Sequence, residues 1–577
     1  MGTGSESVRN RPENQATEAT DVTEATDVTG PADDSGATDV TEATEAAGPA
    51  VAEPVQQAGG RRPWWFWAIW VVPFAALFAL LCARNSFLFT TRLYEQGDAG
   101  ANSILITQAK HFTLLIGSYS REGFNHPGPA YMYVQALGEY LFLNALHVVP
   151  TAWNAHVLAV FVLDSAFLAL AVGIVYSWTR SLAGAAATFA VLLGLAVVYP
   201  SVVNSDWMPY LYVPTYIVFL LAAGSVTAGR VADLWIFALS GWFLIHGHAC
   251  FLLFVPAITL AVLVAAAAGH WRAWRRPLRS FFTEQRKAWI PAAVISVVFA
   301  FPIVLNLILH WPGDFGDYLS YGKSGGQLGL AGQYTAAQVT GYVLWFWWPH
   351  ANAWLAPVLL LALALGVIAG LTRGPLRRFL VALLALNVVS TLAFVLYTAL
   401  GIDDLFSHYI GYFYWSAPLI MVLIIVVGAV EALRLRSRRT LRAAAPAVAV
   451  LAAAAAFITL AVIPGTRTST SDINESLPAA VAALAARSPG QVIALEVDHI
   501  VWPQAIGFLD QAERTGVRAC LVDPWYTFIV TKQFICTPSQ LASSAGYWFY
   551  PPAAPPGTHV ILRFTGFSVA RAWGAAG

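Results

Sequence analysis

Segments of some twenty apolar residues recur along this chain, and a helix of about that length crosses the roughly 30 Å of hydrocarbon in a bilayer. Eleven such runs lie near 64–83, 155–177, 184–200, 209–227, 232–247, 249–268, 288–309, 353–371, 378–399, 410–431 and 443–464. Spanning segments must satisfy their backbone polar groups internally, so these runs predict a polytopic α-helical membrane protein. Composition agrees: 58% of the 577 residues are hydrophobic and 11% charged, against roughly 45–50% and about 25% in soluble domains. A soluble globular protein and a nucleic-acid binder are both excluded.

The zero net charge hides a segregation. Residues 1–60 hold 12 of the 32 acids, with only Arg9 and Arg11 against them, which leaves 20 acids and 30 bases for the rest of the chain. The first 60 residues repeat an Ala-Thr-Asp/Glu-Val-Thr theme without aromatics, and such a segment cannot bury enough surface to offset its ordering entropy. It is expected to be a disordered acidic tail, and it lacks the basic start and apolar run of a signal peptide.

Basic residues mark one side of the membrane. With the tail in the cytoplasm, the five inner connections carry Arg180, Arg230, the Arg272–Lys287 cluster, Arg373 to Arg378, and Arg434 to Arg442. The opposite loops hold Asp206, Asp314, Asp317, Asp403 and Asp404, as the positive-inside rule requires. An odd number of spans sends residues 466–577 outside as a small extracytoplasmic α/β domain. There VIALEV and HVILRF read as buried strands and PQAIGFLDQAERTGV as a helix ending at Gly516. Cys520 and Cys536 fall in this domain, where a disulfide is one of two open states.

The long first outer loop, residues 84–154, carries Glu95 and Asp98 just beyond the first span. It also carries an Asn125-His126-Pro127-Gly128-Pro129 turn that opens a tyrosine-rich helix. On these features the chain resembles the GT-C superfamily of integral-membrane glycosyltransferases, in particular bacterial arabinosyl- or mannosyltransferase-like proteins that use polyprenyl-phosphate sugars. In that family a membrane-proximal acid of the first outer loop precedes a His-Pro-Pro-like turn. Asp98 matches the acid and His126-Pro127-Gly128 the turn, although the acid lacks an adjacent partner and Gly128 stands where the second proline would be.

The resemblance implies a catalytic base at Asp98, and an acid so placed can take the proton of an acceptor hydroxyl. Glu95 and Asp206 are further catalytic carboxylate candidates, Asp206 also a divalent-metal ligand. For the leaving phosphate the candidates are Arg92, Lys110, His111, Arg121 and His126 of the first loop, with Lys323, His350 and His408 from later ones, since cations and donors stabilise a departing anion. His246 and His248, two apart, are a weak metal signal without a third ligand. The GKS of residues 322–324 is no phosphate loop, because residue 317 is Asp where the first glycine would stand. The 311–352 loop reads instead as a lid without secondary structure.

The expected function is transfer of a sugar from a polyprenyl-phosphate donor to a cell-envelope glycan or lipid acceptor, on the extracytoplasmic face of a bacterial plasma membrane. The expected outcome is inversion, and whether a divalent cation takes part stays open. Glu496, Asp498, His499, Trp502, Asp523, Trp525 and Tyr526 of the C-terminal domain are acceptor-binding candidates. The rivals are a transporter or flippase of a lipid-linked sugar and a non-catalytic envelope-assembly scaffold.

Overall fold

Each of the eleven apolar runs is a helix in the computed structural model, which describes residues 65–271, 283, 285–347, 353–436, 439–553 and 557–573. Among the described residues eight helices are long and apolar enough to cross a membrane, including α1 (Trp65–Arg84) and α4 (Ala152–Thr179). The other three runs fold as shorter apolar helices: α5 (Leu182–Val198), Val231–Gly247 and Leu355–Gly370. At about 1.5 Å per residue, the 17 residues of α5 reach less than the full hydrocarbon thickness. The protein is a multi-pass α-helical membrane protein with a small C-terminal sheet. The acidic tail, Arg272 to Arg279, Trp348 and His350 lie outside the described residues.

Two elements of the first loop position the site. Helix α2 (Gly97–Lys110) starts at Gly97, whose φ of +57° falls in the left-handed region where only glycine is unstrained. Helix α3 (Ala130–Gly138) begins after Pro129 and continues as a wider turn over Glu139–Ala145. Between them a tight hairpin pairs Tyr119 with Asn125. Gly128 replaces the expected proline for a packing reason: a Cβ there would stand 2.4 Å from Nδ1 of His246. That nitrogen accepts the Ala130 amide at 3.2 Å.

The C-terminal sheet has strand order β2-β1-β3-β5-β4, with β1 at Val492–Val497, β2 at Ala519–Leu521, β3 at Ser544–Tyr550, β4 at Val560–Phe564 and β5 at Phe567–Trp573. The two strands read from sequence are β1 and β4, and the expected helix spans Trp502–Arg514. Cys520 and Cys536 are disulfide-bonded.

This sheet does not stand apart from the spans. Ala101 and Ile104 of α2 are buried in the same apolar cluster as Leu477, Val481, Phe508 and Tyr547, and the described residues belong to one compact unit. At the junction Asn85, at the end of α1, donates to the Thr466 carbonyl at 3.1 Å and accepts the Thr468 amide at 2.7 Å.

The 311–352 segment differs from the structureless lid expected. It holds helices Gly313–Ser324 and Ala336–Trp345 within its described part. The first is fastened to the hairpin, because Asp314 accepts the Asn125 amide at 3.1 Å and the Tyr318 hydroxyl donates to the Asn125 carbonyl at 2.5 Å.

Candidate active site

A cavity of about 350 Å³ opens where α2, the 118–126 hairpin, the start of the Met208–Thr227 helix, residues 248–250 and the 401–410 turn converge. Its size falls within the range of small-molecule sites. Asp98 lines it from the first turn of α2, where the helix amino end favours a carboxylate. Its two oxygens are held separately. One accepts the Tyr119 hydroxyl, and the other accepts Trp207 Nε1 at 2.9 Å. Burial first, then the adjacent Asp98 charge, push the Tyr119 phenol up, so it stays a donor. The carboxylate is thereby fixed in one orientation with lone pairs left toward the cavity.

Asp472 stands close to this centre. Burial, then the charges of Asp98 and Asp206, push it up to about 6. Sequence reasoning missed it because it lies far along the chain, where the 472–474 segment pairs with the backbone ahead of α2: the Gln96 amide donates to the Asp472 carbonyl at 2.9 Å.

Arg121 also lines the cavity, but three carboxylates share it. It pairs with Asp403, lies 3.3 Å from Glu122 and 3.7 Å from Asp404. The glycine-rich segment closes over this cluster, the Gln327 amide donating to Glu122 at 2.8 Å and the Leu328 amide to Asp403 at 3.3 Å. His126 is buried at the cavity's inner end, its ring 4.2 Å from that of His248. His246 turns away, to Ala130 and to the Phe299 carbonyl at 2.8 Å. Among the described residues no three His, Cys, Asp or Glu side chains form a group able to hold a metal ion.

The other residues singled out from sequence lie elsewhere. Asp206 sits one residue from the lining Trp207, but its carboxylate accepts Trp153 Nε1 at 2.9 Å. His408 stacks between Trp345 and Tyr342, at 4.2 and 5.4 Å, while its neighbours Tyr409 and Ile410 reach the cavity. Arg92, His111 and Lys323 are exposed. Asp498 and Asp523 accept the amides two residues ahead and so close local turns.

Glu95 and Lys110 belong to a second, buried centre. Glu95 precedes the turn at Gly97 and is turned toward Asp510, and Lys110 lies about three turns of α2 beyond Asp98. Lys110 pairs with Glu139, and Arg514 of the Trp502–Arg514 helix reaches Glu139 at 3.1 Å and Asp510 at 3.1 Å. Burial works against a Glu139 charge, but the hydrogen bond from His156 and the cations Arg514 and Lys110 hold its carboxyl well below the usual range.

Ser103 Oγ lies 2.7 Å from both Glu95 and Asp510, and Arg514 donates to it at 2.7 Å. One hydroxyl hydrogen serves one carboxylate. The hydroxyl is satisfied when Asp510 takes its hydrogen and a protonated Glu95 donates to Oγ. Burial first, then the Asp510 charge, push Glu95 up to about 7, in agreement.

A carboxyl whose folded value lies above its unfolded one favours the folded state while protonated, so this contribution is full below about 4.5 and lost as pH rises through about 7. Glu95→Gln is therefore expected to flatten the fall in unfolding midpoint between those pH values. Wild type and variant with parallel midpoint curves would contradict the protonated Glu95.

No protein-family model and no curated protein matches the chain. Among solved structures the chain is similar to ArnT from Cupriavidus metallidurans bound to undecaprenyl phosphate, with 12% identity, a TM-score of 0.48, and coverage of 88% of this chain and 97% of that one. In its apo state ArnT gives a TM-score of 0.49 over 87% of this chain. The archaeal oligosaccharyltransferase AglB from Archaeoglobus fulgidus, in complex with an inhibitory peptide and a dolichol-phosphate, is similar at 13% identity and a TM-score of 0.40, over 88% of this chain and 74% of that one. The likeness runs along most of each chain.

Proposed function

We propose that this protein is an inverting membrane glycosyltransferase that moves a sugar from a polyprenyl-phosphate donor to a glycan or lipid acceptor of the cell envelope. Lipid phosphates of this class are present in the ArnT and AglB complexes. The observation that carries the reading is the Asp98 carboxylate, held by Tyr119 and Trp207 on the wall of a cavity beside the membrane helices. The GT-C resemblance of the first loop assigns that same position to the base.

In the reaction Asp98 takes the proton of the acceptor hydroxyl as its oxygen bonds to the anomeric carbon. The bond from that carbon to the phosphate oxygen breaks, and polyprenyl phosphate leaves with the electron pair. A single displacement inverts the anomeric carbon. Arg121, bound to Asp403 and Glu122, shapes the sugar side of the cavity and orders the glycine-rich segment. We place the cavity and the C-terminal domain on the extracytoplasmic side, as the distribution of basic residues indicates.

The test supplies the purified protein in lipid with a panel of polyprenyl-phosphate sugars and reads product configuration by NMR. One donor consumed with inversion is the expected result. Retention overturns the single displacement, and release from no donor overturns the reading itself.

A further inference from the structure

The two histidines at the inner end of the cavity have their proton positions set by the backbone. The Ala249 amide donates to His126 Nδ1 at 3.4 Å, and the Cys250 amide donates to His248 Nδ1 at 3.1 Å. A neutral imidazole carries one N–H and one acceptor nitrogen, so accepting at Nδ1 places the hydrogen on Nε2 in both rings. Burial pushes His248 down to about 4, and burial with the adjacent His248 holds His126 well below its ordinary value. Both rings are neutral at pH 7.

Both line the cavity, His126 is only 5% exposed, and neither Nε2 has a protein partner among the described residues. The amides that fix the rings immediately precede the 21-residue helix Phe251–Trp271. The amino end of that helix carries a partial positive charge, and a chain of hydrogen bonds passes such polarity on. Through the two rings it is directed at the cavity.

Apart from Asn102, Ser118, Ser120 and Tyr409, the polar lining offers a contrast. Asp98, Glu122 and Asp403 present acceptors, and Arg121 is already shared among carboxylates. The hydroxyls of Tyr212, Tyr318 and Tyr321 donate to the carbonyls of Gly247, Asn125 and Gly401. A sugar hydroxyl both donates and accepts and suits the carboxylate side. A phosphate oxygen only accepts and suits a side made of donors.

We propose that His126 and His248 form the phosphate subsite of this cavity, two neutral Nε2–H donors that hold the phosphate oxygens of a polyprenyl phosphate. The inference rests on the glycosyltransferase reading above and names its phosphate-binding residues. Neutral donors at this depth avoid the desolvation that a buried Lys or Arg incurs.

Two substitutions at each position separate binding from scaffolding. Asn keeps an oxygen where Nδ1 accepts the backbone amide but carries no donor to the Nε2 position. Gln carries an amide N–H to the Nε2 position but loses the Nδ1 acceptor. Binding of undecaprenyl phosphate, undecaprenol and inorganic phosphate is measured on the full chain in lipid nanodiscs. His126→Asn and His248→Asn are each expected to weaken undecaprenyl phosphate roughly tenfold or more, the size of a hydrogen bond to a charged group. The Gln variants are expected to stay within about threefold, with undecaprenol unchanged throughout.

Gln more damaging than Asn, or equal weakening of the phosphate and the alcohol, overturns the subsite. Weakening confined to inorganic phosphate overturns the lipid assignment. Unchanged variants beside a wild type that binds overturn this inference alone, whereas a wild type that binds no undecaprenyl phosphate overturns the functional reading with it.

Discussion

Asp98→Asn is expected to lower turnover by about two orders of magnitude or more, the range that general-base catalysis contributes, with little change in donor affinity. Asn keeps the volume of the side chain: its Oδ1 accepts Trp207 Nε1, and its NH2, in place of the other oxygen, donates to the Tyr119 oxygen and so reverses that hydrogen bond. What it removes is the lone pair that accepts the acceptor proton, an interaction that gains strength only in the transition state. Steady-state rates with the cognate donor check this, and a variant that keeps more than about a third of wild-type turnover would place the base elsewhere. Asp206 and Asp472 are the nearest alternatives, since both act electrostatically on the same region.

The second large effect is on stability. Arg514→Ala leaves Asp510, at 0% exposure, without its guanidinium, while Glu139 keeps Lys110 and His156. Removing one partner of a buried ion pair costs about 3–5 kcal/mol, because the remaining charge stays uncompensated. The loss falls on the contact between α2 and the Trp502–Arg514 helix, so the C-terminal segment is expected to become protease-sensitive first. Arg514→Lys restores part of the loss, since a single ammonium cannot reach both carboxylates and Ser103 with one planar fork. Chemical denaturation reads the difference, and a loss below about 1 kcal/mol contradicts the assignment.

Local patterns carried the spans and two of the five strands, because apolar length and strand alternation are short-range signals. Asp98 was legible for the same reason: an acid just beyond a span and one residue into a helix needs no distant partner to be noticed. The rest of the cavity is long-range. His126 meets the Ala249 amide across 123 positions, so His248 reads from sequence only as the second half of a weak metal pair. Glu95 misleads because it lies three residues from Asp98, yet the turn at Gly97 sends it into the interface with Asp510. Arg514 and Glu139 are 375 residues apart, and no spacing rule joins them. Lys110 reads as a phosphate ligand until its carboxylate partner is seen.

Sugar transfer and lipid translocation are best separated in one vesicle assay. The protein is reconstituted with a labelled polyprenyl-phosphate sugar and an acceptor, and both the released polyprenyl phosphate and the leaflet of the intact donor are followed. The account predicts one polyprenyl phosphate released for each sugar appearing on the acceptor, with donor distribution between leaflets unchanged by the protein. Intact donor crossing the bilayer with no polyprenyl phosphate released would contradict it and make the protein a transporter.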